Sequence, residues 1–202
     1  MTRQPYLIES ELSAGNVLLQ PLQLSHRAAL LAAEADGRLS QLWYTSVPNA
    51  DSIDAYFDSA LQDKQQGVAL PFVVIDKPSG NVIGATRYCH ADVVNRRLEI
   101  GYTWYAKSYQ RSSVNTQCKL LLLSYAFEQL SSIAVEFRTH WHNHASRAAI
   151  ARLGAKQDGV LRNHSLDAQG NYRDTVVFSI TNQEWPTVKH ALLHKLASYA
   201  GN

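Results

Sequence analysis

One stretch near the middle of the chain, Leu98–Leu130 (LEIGYTWYAKSYQRSSVNTQCKLLLLSYAFEQL), constrains the fold more than any other. It reads as a strand, a short polar loop rich in hydroxyls, and a strongly apolar helix. A strand that ends in such a loop and opens a helix makes an anion cradle. The loop's backbone N–H groups and the unpaired N–H groups of the helix's first turn converge on one point. The rest of the chain has to supply the sheet around that unit.

With 202 residues, there is enough chain for one sizeable core and hardly enough for two. An apolar fraction of 46% with 18% charged residues is ordinary for a soluble globular domain. Net charge is +2, and no basic run appears, which argues against a nucleic-acid partner. Basic side chains instead group at Arg96, Arg97, Lys107, Arg111 and Lys119 around the central stretch, an arrangement that suits a small polyanion. Cys89 and Cys118 are too few for a disulfide framework or a zinc knuckle, and both sit in apolar patterns expected to bury them. The start of the chain, MTRQPYLIESELSAG, lacks the basic-then-apolar signature of a signal peptide, and Leu120–Leu123 soon meets Ser124 and Glu128. No membrane partner and a cytoplasmic location are expected.

Taken in order, Val17–Leu22 is a short apolar strand, and Ser25 caps a helical pattern, SHRAALLAAEADGRL. Leu42–Val47 is aromatic and β-branched and is broken by Pro48 and Asn49. Asp51 or Ser52 starts a second helix that Gly67 stops. From Phe72 the period changes to that of an antiparallel meander, Phe72–Asp76, Asn81–His90 and Arg96–Tyr105, punctuated by Lys77-Pro78-Ser79-Gly80 and Asp92–Asn95. A helix follows over Thr116–Leu130, then a strand at Ala134–Thr139 and a helix at Ala145–Leu153 ended by Gly154. Strands near Val160–His164 and Thr175–Ile180 flank an Asp167–Gly170 turn. A last helix runs through Asn182–Tyr199 with Pro186 in its first turn. No repeat or linker divides this mixed α/β pattern.

Four segments stand in one order over roughly residues 15–182: Glu99-Ile100-Gly101-Tyr102, Gln110–Thr116 leading into KLLLLSYAFE, Asn143–Ile150 followed by Leu153-Gly154-Ala155, and Arg173-Asp174-Thr175. This pattern resembles the GNAT superfamily of N-acetyltransferases, and within it the ribosomal-protein N-terminal acetyltransferases of the RimJ/RimL-like branch. The resemblance implies one α/β domain over residues 1–202, with its core at about 15–182 and a C-terminal helix at 182–199. Its sheet would be mixed and mostly antiparallel, flanked by helices, with two splayed parallel central strands. It also implies acetyl-CoA as acyl donor and no metal. The pyrophosphate would lie over Gln110, Arg111, Ser112, Ser113, Val114, Asn115 and Thr116. The pantetheine arm would follow the main chain of Thr103, Trp104 and Tyr105, with Asn143 and Arg147 completing the coenzyme contacts. The family loop reads Q/R-x-x-G-x-G/A, so Ser113 and Asn115 stand where glycines are usual. Glycine lets a backbone approach phosphate closely. Serine is small, asparagine tolerates left-handed geometry, and Asn115 could cap the helix.

Attack of an amine on a thioester needs a neutral amine, a donor near the carbonyl oxygen and an acid for the leaving thiolate. The resemblance offers Glu99 as a general base acting through water, and Ser146 and Asn143 beside the thioester. Glu99 could equally pair with Arg87 or Arg97, and Ser146 and Asn143 are ordinary first-turn and cap residues. Tyr102, Tyr105 and Tyr109 are alternative acids. His140-Trp141-His142-Asn143-His144 places alternating histidines at a strand end, a pattern that can bind metal. With no acidic or cysteine ligand nearby, these imidazoles are expected to line the acceptor end or to sit exposed, and His140 could assist proton removal. The acceptor is a primary amine, and the branch favours a protein N-terminal α-amine. The first two helices, with Trp43, Tyr44 and Tyr56 as candidates, and the loop before Thr175 are expected to form its walls, though the aromatics fit the core equally well. A homodimer is left open. From a different class, a non-catalytic acyl-CoA-binding or regulatory module also fits.

Overall fold

Most of the chain's strands were marked by their turns, and they assemble one sheet. The computed structural model describes residues 6–167 and 169–200; the first five residues, part of the N-terminal stretch read above, and Ala168 inside the expected Asp167–Gly170 turn lie outside that range. Strands β1 (Leu12–Ala14) and β2 (Val17–Pro21) form a hairpin. Its turn needs Gly15, at φ 53, because a Cβ there would fall 2.6 Å from Gln117 Oε1. That oxygen accepts the Asn16 N–H at 3.0 Å, tying the hairpin to a later helix. β1 was not expected, since three residues are too short for alternation to show.

Helix α1 (Arg27–Ala35) is not capped by Ser25. A 3-10 turn at Leu24–His26 precedes it, and the Gln23 N–H donates to His26 Nδ1 at 3.1 Å. Helix α2 (Ile53–Gln65) starts after Ser52 as expected, with Asn49 Oδ1 accepting the N–H groups of Asp51 and Ser52 at 3.0 and 3.1 Å. Between the two helices Leu42–Val47 pairs with no strand. β1 already occupies the sheet edge beside β2, and Trp43 packs instead against His140, ring centroids 5.1 Å apart.

The meander is β3 (Leu70–Asp76), β4 (Asn81–Asp92) and β5 (Arg97–Tyr105). Helix α3 (Val114–Ser124) begins two residues earlier than expected and widens over Tyr125–Gln129, where the Leu130 N–H reaches back to the Tyr125 carbonyl at 3.0 Å. Then come β6 (Ala134–His140), α4 (His144–Ala151), β7 (Lys156–Leu166), β8 (Tyr172–Thr181) and α5 (Trp185–Ala200). The strand order is β1-β2-β3-β4-β5-β6-β8-β7, and only β5 and β6 run parallel. One face packs under α3, with Cys118, Leu122 and Phe178 in its core; the other packs under α1 and α2, with Leu30, Phe57 and Trp104. Each large apolar side chain so buried contributes roughly 2 kcal/mol.

The architecture is the mixed α/β fold expected, splayed strands included: β5 and β6 pair only over Arg97–Glu99 and Ala134–Glu136. Among the described residues no helix is long and apolar enough to cross a membrane.

Candidate active site

Beyond those three pairs the two parallel strands diverge, and the gap is a cleft of about 1110 Å³. A bulge helps to open it. The pairing of β4 with β5 shifts between Ala85 and Arg87, and Tyr102 takes φ 51. A left-handed aromatic residue costs on the order of 1 kcal/mol or more. The Arg87 guanidinium lies 4.1 Å from the Tyr102 ring centroid, a cation–π contact that offsets part of that cost. Thr103, Trp104 and Tyr105 all line the cleft.

The loop before α3 closes one end. Gln110 Nε2 donates to the Tyr105 carbonyl at 3.0 Å, and Ser112 Oγ donates to the Tyr109 carbonyl at 2.6 Å. The left-handed residue is Arg111, at φ 62, whereas Ser113 sits at φ −71 and Asn115 lies within the helix. Neither position expected to need glycine geometry does so. Asn115 is no cap: Ser113 holds the cap position, and Asn115 Oδ1 accepts the Tyr105 hydroxyl at 3.2 Å. Among the described residues the N–H groups of Ser113, Asn115 and Thr116 have no protein acceptor, as first-turn donors commonly do not. Gln110, Arg111, Ser112, Asn115 and Thr116 line the cleft; Ser113 bonds Gln117 Nε2 at 2.9 Å, and Val114 is buried in the core.

The basic group read from sequence divides. Arg97 pairs with Glu136 outside the cleft, while Arg111 and Lys119 line it. Lys119 is only 4% exposed. Its Nζ donates to Thr103 Oγ1 at 2.7 Å, and burial brings its pKa down to about 8. Two cations that sequence reasoning missed, Arg152 and Lys195, line the same cleft. With Arg111 they form no ion pair among the described residues. Arg152 follows the end of α4 and Lys195 lies on α5, positions that carry no sequence signal for a site.

At α4, Asn143 caps the helix, its Oδ1 accepting the Ser146 N–H at 3.0 Å. That bond fixes the amide's orientation and leaves the Nδ2 donors free of protein acceptors among the described residues. Asn143 and Ser146 both line the cleft. Arg147 does not: its Nη1 donates to the Trp141 carbonyl at 3.1 Å, and its guanidinium lies 4.3 Å from that residue's ring centroid.

Glu99, 7% exposed, lines the cleft below the bulge. It pairs with neither Arg87 nor Arg97. Its Oε2 lies 2.9 Å from His90 Nδ1 and 3.5 Å from Arg138 Nε. Cys89, His90 and Glu99 bring ligand-type atoms within 4.8 Å of one another, but the Arg138 cation already faces that carboxylate. The His140–His144 run forms no such group among the described residues. His140 is buried, and its Nδ1 accepts the His142 N–H at 3.0 Å, so its Nε2 carries the proton in the neutral ring. Burial, then the nearby Arg173 charge, lowers the His140 pKa. With its lone pair engaged, His140 offers a donor to the cleft and no base, contrary to expectation. Trp43 stacks edge-on against His140; Tyr44 and Tyr56 line the cleft directly.

The profile of the acetyltransferase (GNAT) domain matches residues 16–156. The Bacillus subtilis (strain 168) protein named "Putative ribosomal N-acetyltransferase YdaF" is 29% identical over 174 residues, covering 83% of this chain and 91% of its own. A GCN5-related N-acetyltransferase from Brucella melitensis is 30% identical, with a TM-score of 0.82 over 94% of this chain and 86% of that one. Mycobacterium smegmatis RimJ, solved in complex with CoA-disulfide, shares the fold at 22% identity, with a TM-score of 0.76 over 92% of this chain and 93% of that one.

Proposed function

Given that the chain belongs to the GNAT acetyltransferase family and is an N-acetyltransferase, we propose that it transfers acetyl from acetyl-CoA directly to a primary amine, a protein or peptide N-terminal α-amine, within a ternary complex. One observation carries this reading: a single cleft receives the unpaired edge of β5, the free N–H groups of α3 and the Glu99 carboxylate. The residues fit the coenzyme. Three unpaired cations, Arg111, Arg152 and Lys195, and the first-turn donors suit its phosphates.

Acetyl-CoA supplies the activated acyl carbon and a thiolate leaving group. The β5 main chain and the Asn143 Nδ2 donors would hold the pantetheine arm, and Glu99, through water, would take the proton of the attacking amine. Ser146 Oγ, at the start of α4, is available as a donor at the thioester. Transfer without an acyl-enzyme is supported by both thiols. Burial raises the pKa of Cys89, and that of Cys118 to about 11, so neither is an active nucleophile. The ribosomal name of the Bacillus subtilis relative favours a protein α-amine.

Incubating the protein with acetyl-CoA and peptides bearing free or blocked N-termini tests this, read by thiol release and peptide mass. Free N-termini are expected to gain one acetyl group. Glu99→Gln should lower kcat by about 10²–10⁴, the usual worth of a general base, with acetyl-CoA still bound. Unchanged kinetics would remove Glu99 from that role, and turnover confined to small non-peptide amines would overturn the acceptor.

A further inference from the structure

Where the cleft meets β6 and β8, its charged and fixed-polarity side chains are donors, Glu99 excepted. His140 presents Nε2–H, as its Nδ1 is taken by the His142 N–H. Arg138 faces Glu99 and Glu136. Arg173, on β8, differs from both. Its Nε is buried with no partner, and its one contact is Nη2 to Thr175 Oγ1 at 3.4 Å, a marginal hydrogen bond. It makes no ion pair among the described residues, yet it lines the cleft with His140.

The surrounding carboxylates are already engaged. Glu99 serves His90 and Arg138, and Glu136 serves Arg97 and Arg138. Asp174 holds Arg162 and accepts the Asn163 N–H. Asp167 accepts the N–H groups of Gln169 and Asn171 in its own turn. One half-buried guanidinium therefore has no carboxylate in ion-pair contact among the described residues, the exposed Asp167 acting on it only as a nearby charge. Desolvation lowers the guanidinium's pKa as well. Nε is closed off, but Nη1 bonds nothing among the described residues and is not buried, so a ligand acceptor in the cleft can pair with it and offset the cost of the under-satisfied guanidinium. A guanidinium also matches a carboxylate fork for fork.

We propose that the acceptor amine carries a carboxylate beside it, held by Arg173 and His140 while Glu99 serves the amine. This rests on the acetyl-transfer reading above, but not on its choice of a peptide acceptor. Two sources share that chemistry: an N-terminus followed by an aspartate or glutamate side chain, and a free amino acid with its α-carboxylate. An unpaired polar group in the site would penalise acceptors that lack the carboxylate.

The test is a set of matched acceptors assayed with acetyl-CoA. Peptides differ only at the second residue, Asp against Asn and Glu against Gln, and free amino acids are set against their amides. A kcat/KM at least about tenfold higher for the acid member is expected, and the arm in which it appears names the source. Arg173→Gln should bring that ratio to near one, while Arg173→Lys should keep part of it. A misfolded variant would lose acetyl-CoA binding; a folded one keeps it, so calorimetry with acetyl-CoA separates the two. A ratio near one in the unaltered chain with turnover present, or a ratio that survives in Arg173→Gln, would overturn the inference alone. Acetyl-CoA binding with no acceptor acetylated would overturn the α-amine reading and this inference with it.

Discussion

Lys119 carries an ammonium into a helix that is apolar almost all round, with Cys118, Leu120, Leu122 and Leu123 buried beside it. Helices of that kind lie inside, so its burial could be read from KLLLL, although its basic charge grouped it with Arg96, Arg97, Lys107 and Arg111 as cations for a small polyanion. Its folded pKa of about 8 lies below the ordinary lysine value. Between those two values the unfolded chain binds more protons, so stability rises with pH across that window. Below pH 8 both states are protonated and the full penalty applies. Lys119→Met is therefore expected to stabilise the fold at pH 7 by roughly 1–3 kcal/mol, with the gain shrinking as pH climbs from 8 towards 10.5. Urea unfolding of both proteins at pH 7 and pH 10 measures this. A variant less stable at both values would mean that the Thr103 bond outweighs the burial cost.

At the scale of elements, strands bounded by Pro, Gly or Asn were legible, and so was the helix that follows the proposed coenzyme loop. The loop's inner geometry was not. Ser113 and Asn115, standing where glycines are usual, pointed to unusual backbone there, while the left-handed φ falls on Arg111, a position fixed by hydrogen bonds of Gln110 and Ser112 to the preceding turn. The bulge in β5 was hidden for the same reason, since register depends on partners. Gly84, which pairs with Tyr105 just beyond the bulge, is where β4 approaches β5 most closely among the glycines. A Cβ there would stand 2.1 Å from the Trp104 carbonyl oxygen and 2.9 Å from Tyr105 Cα. Both are backbone atoms of the proposed pantetheine rail. Gly84→Ala should cost roughly 2–3 kcal/mol and weaken acetyl-CoA binding, by thermal unfolding and calorimetry respectively. Full affinity in a destabilised variant would separate the rail from the coenzyme.

For the whole molecule, the order of segments was enough to anticipate a sheet that splits between two parallel strands. The acceptor end was not so readable. Tyr44, Glu99, Arg138 and Arg173 come from the α1–α2 connection and from three strands, and nothing local in sequence brings them together. His140 shows the limit well: its composition promised a base, and a backbone N–H from two residues on made it a donor. The cleft between β5 and β6 is what the account depends on. Residue-resolved amide hydrogen exchange, with and without saturating acetyl-CoA, tests it most directly. Slowed exchange is expected at Ser113, Asn115, Thr116 and along Ile100–Tyr105, with the outlying β1 and β7 unchanged. Protection confined to other elements, or none in those two segments, would contradict the proposed coenzyme site.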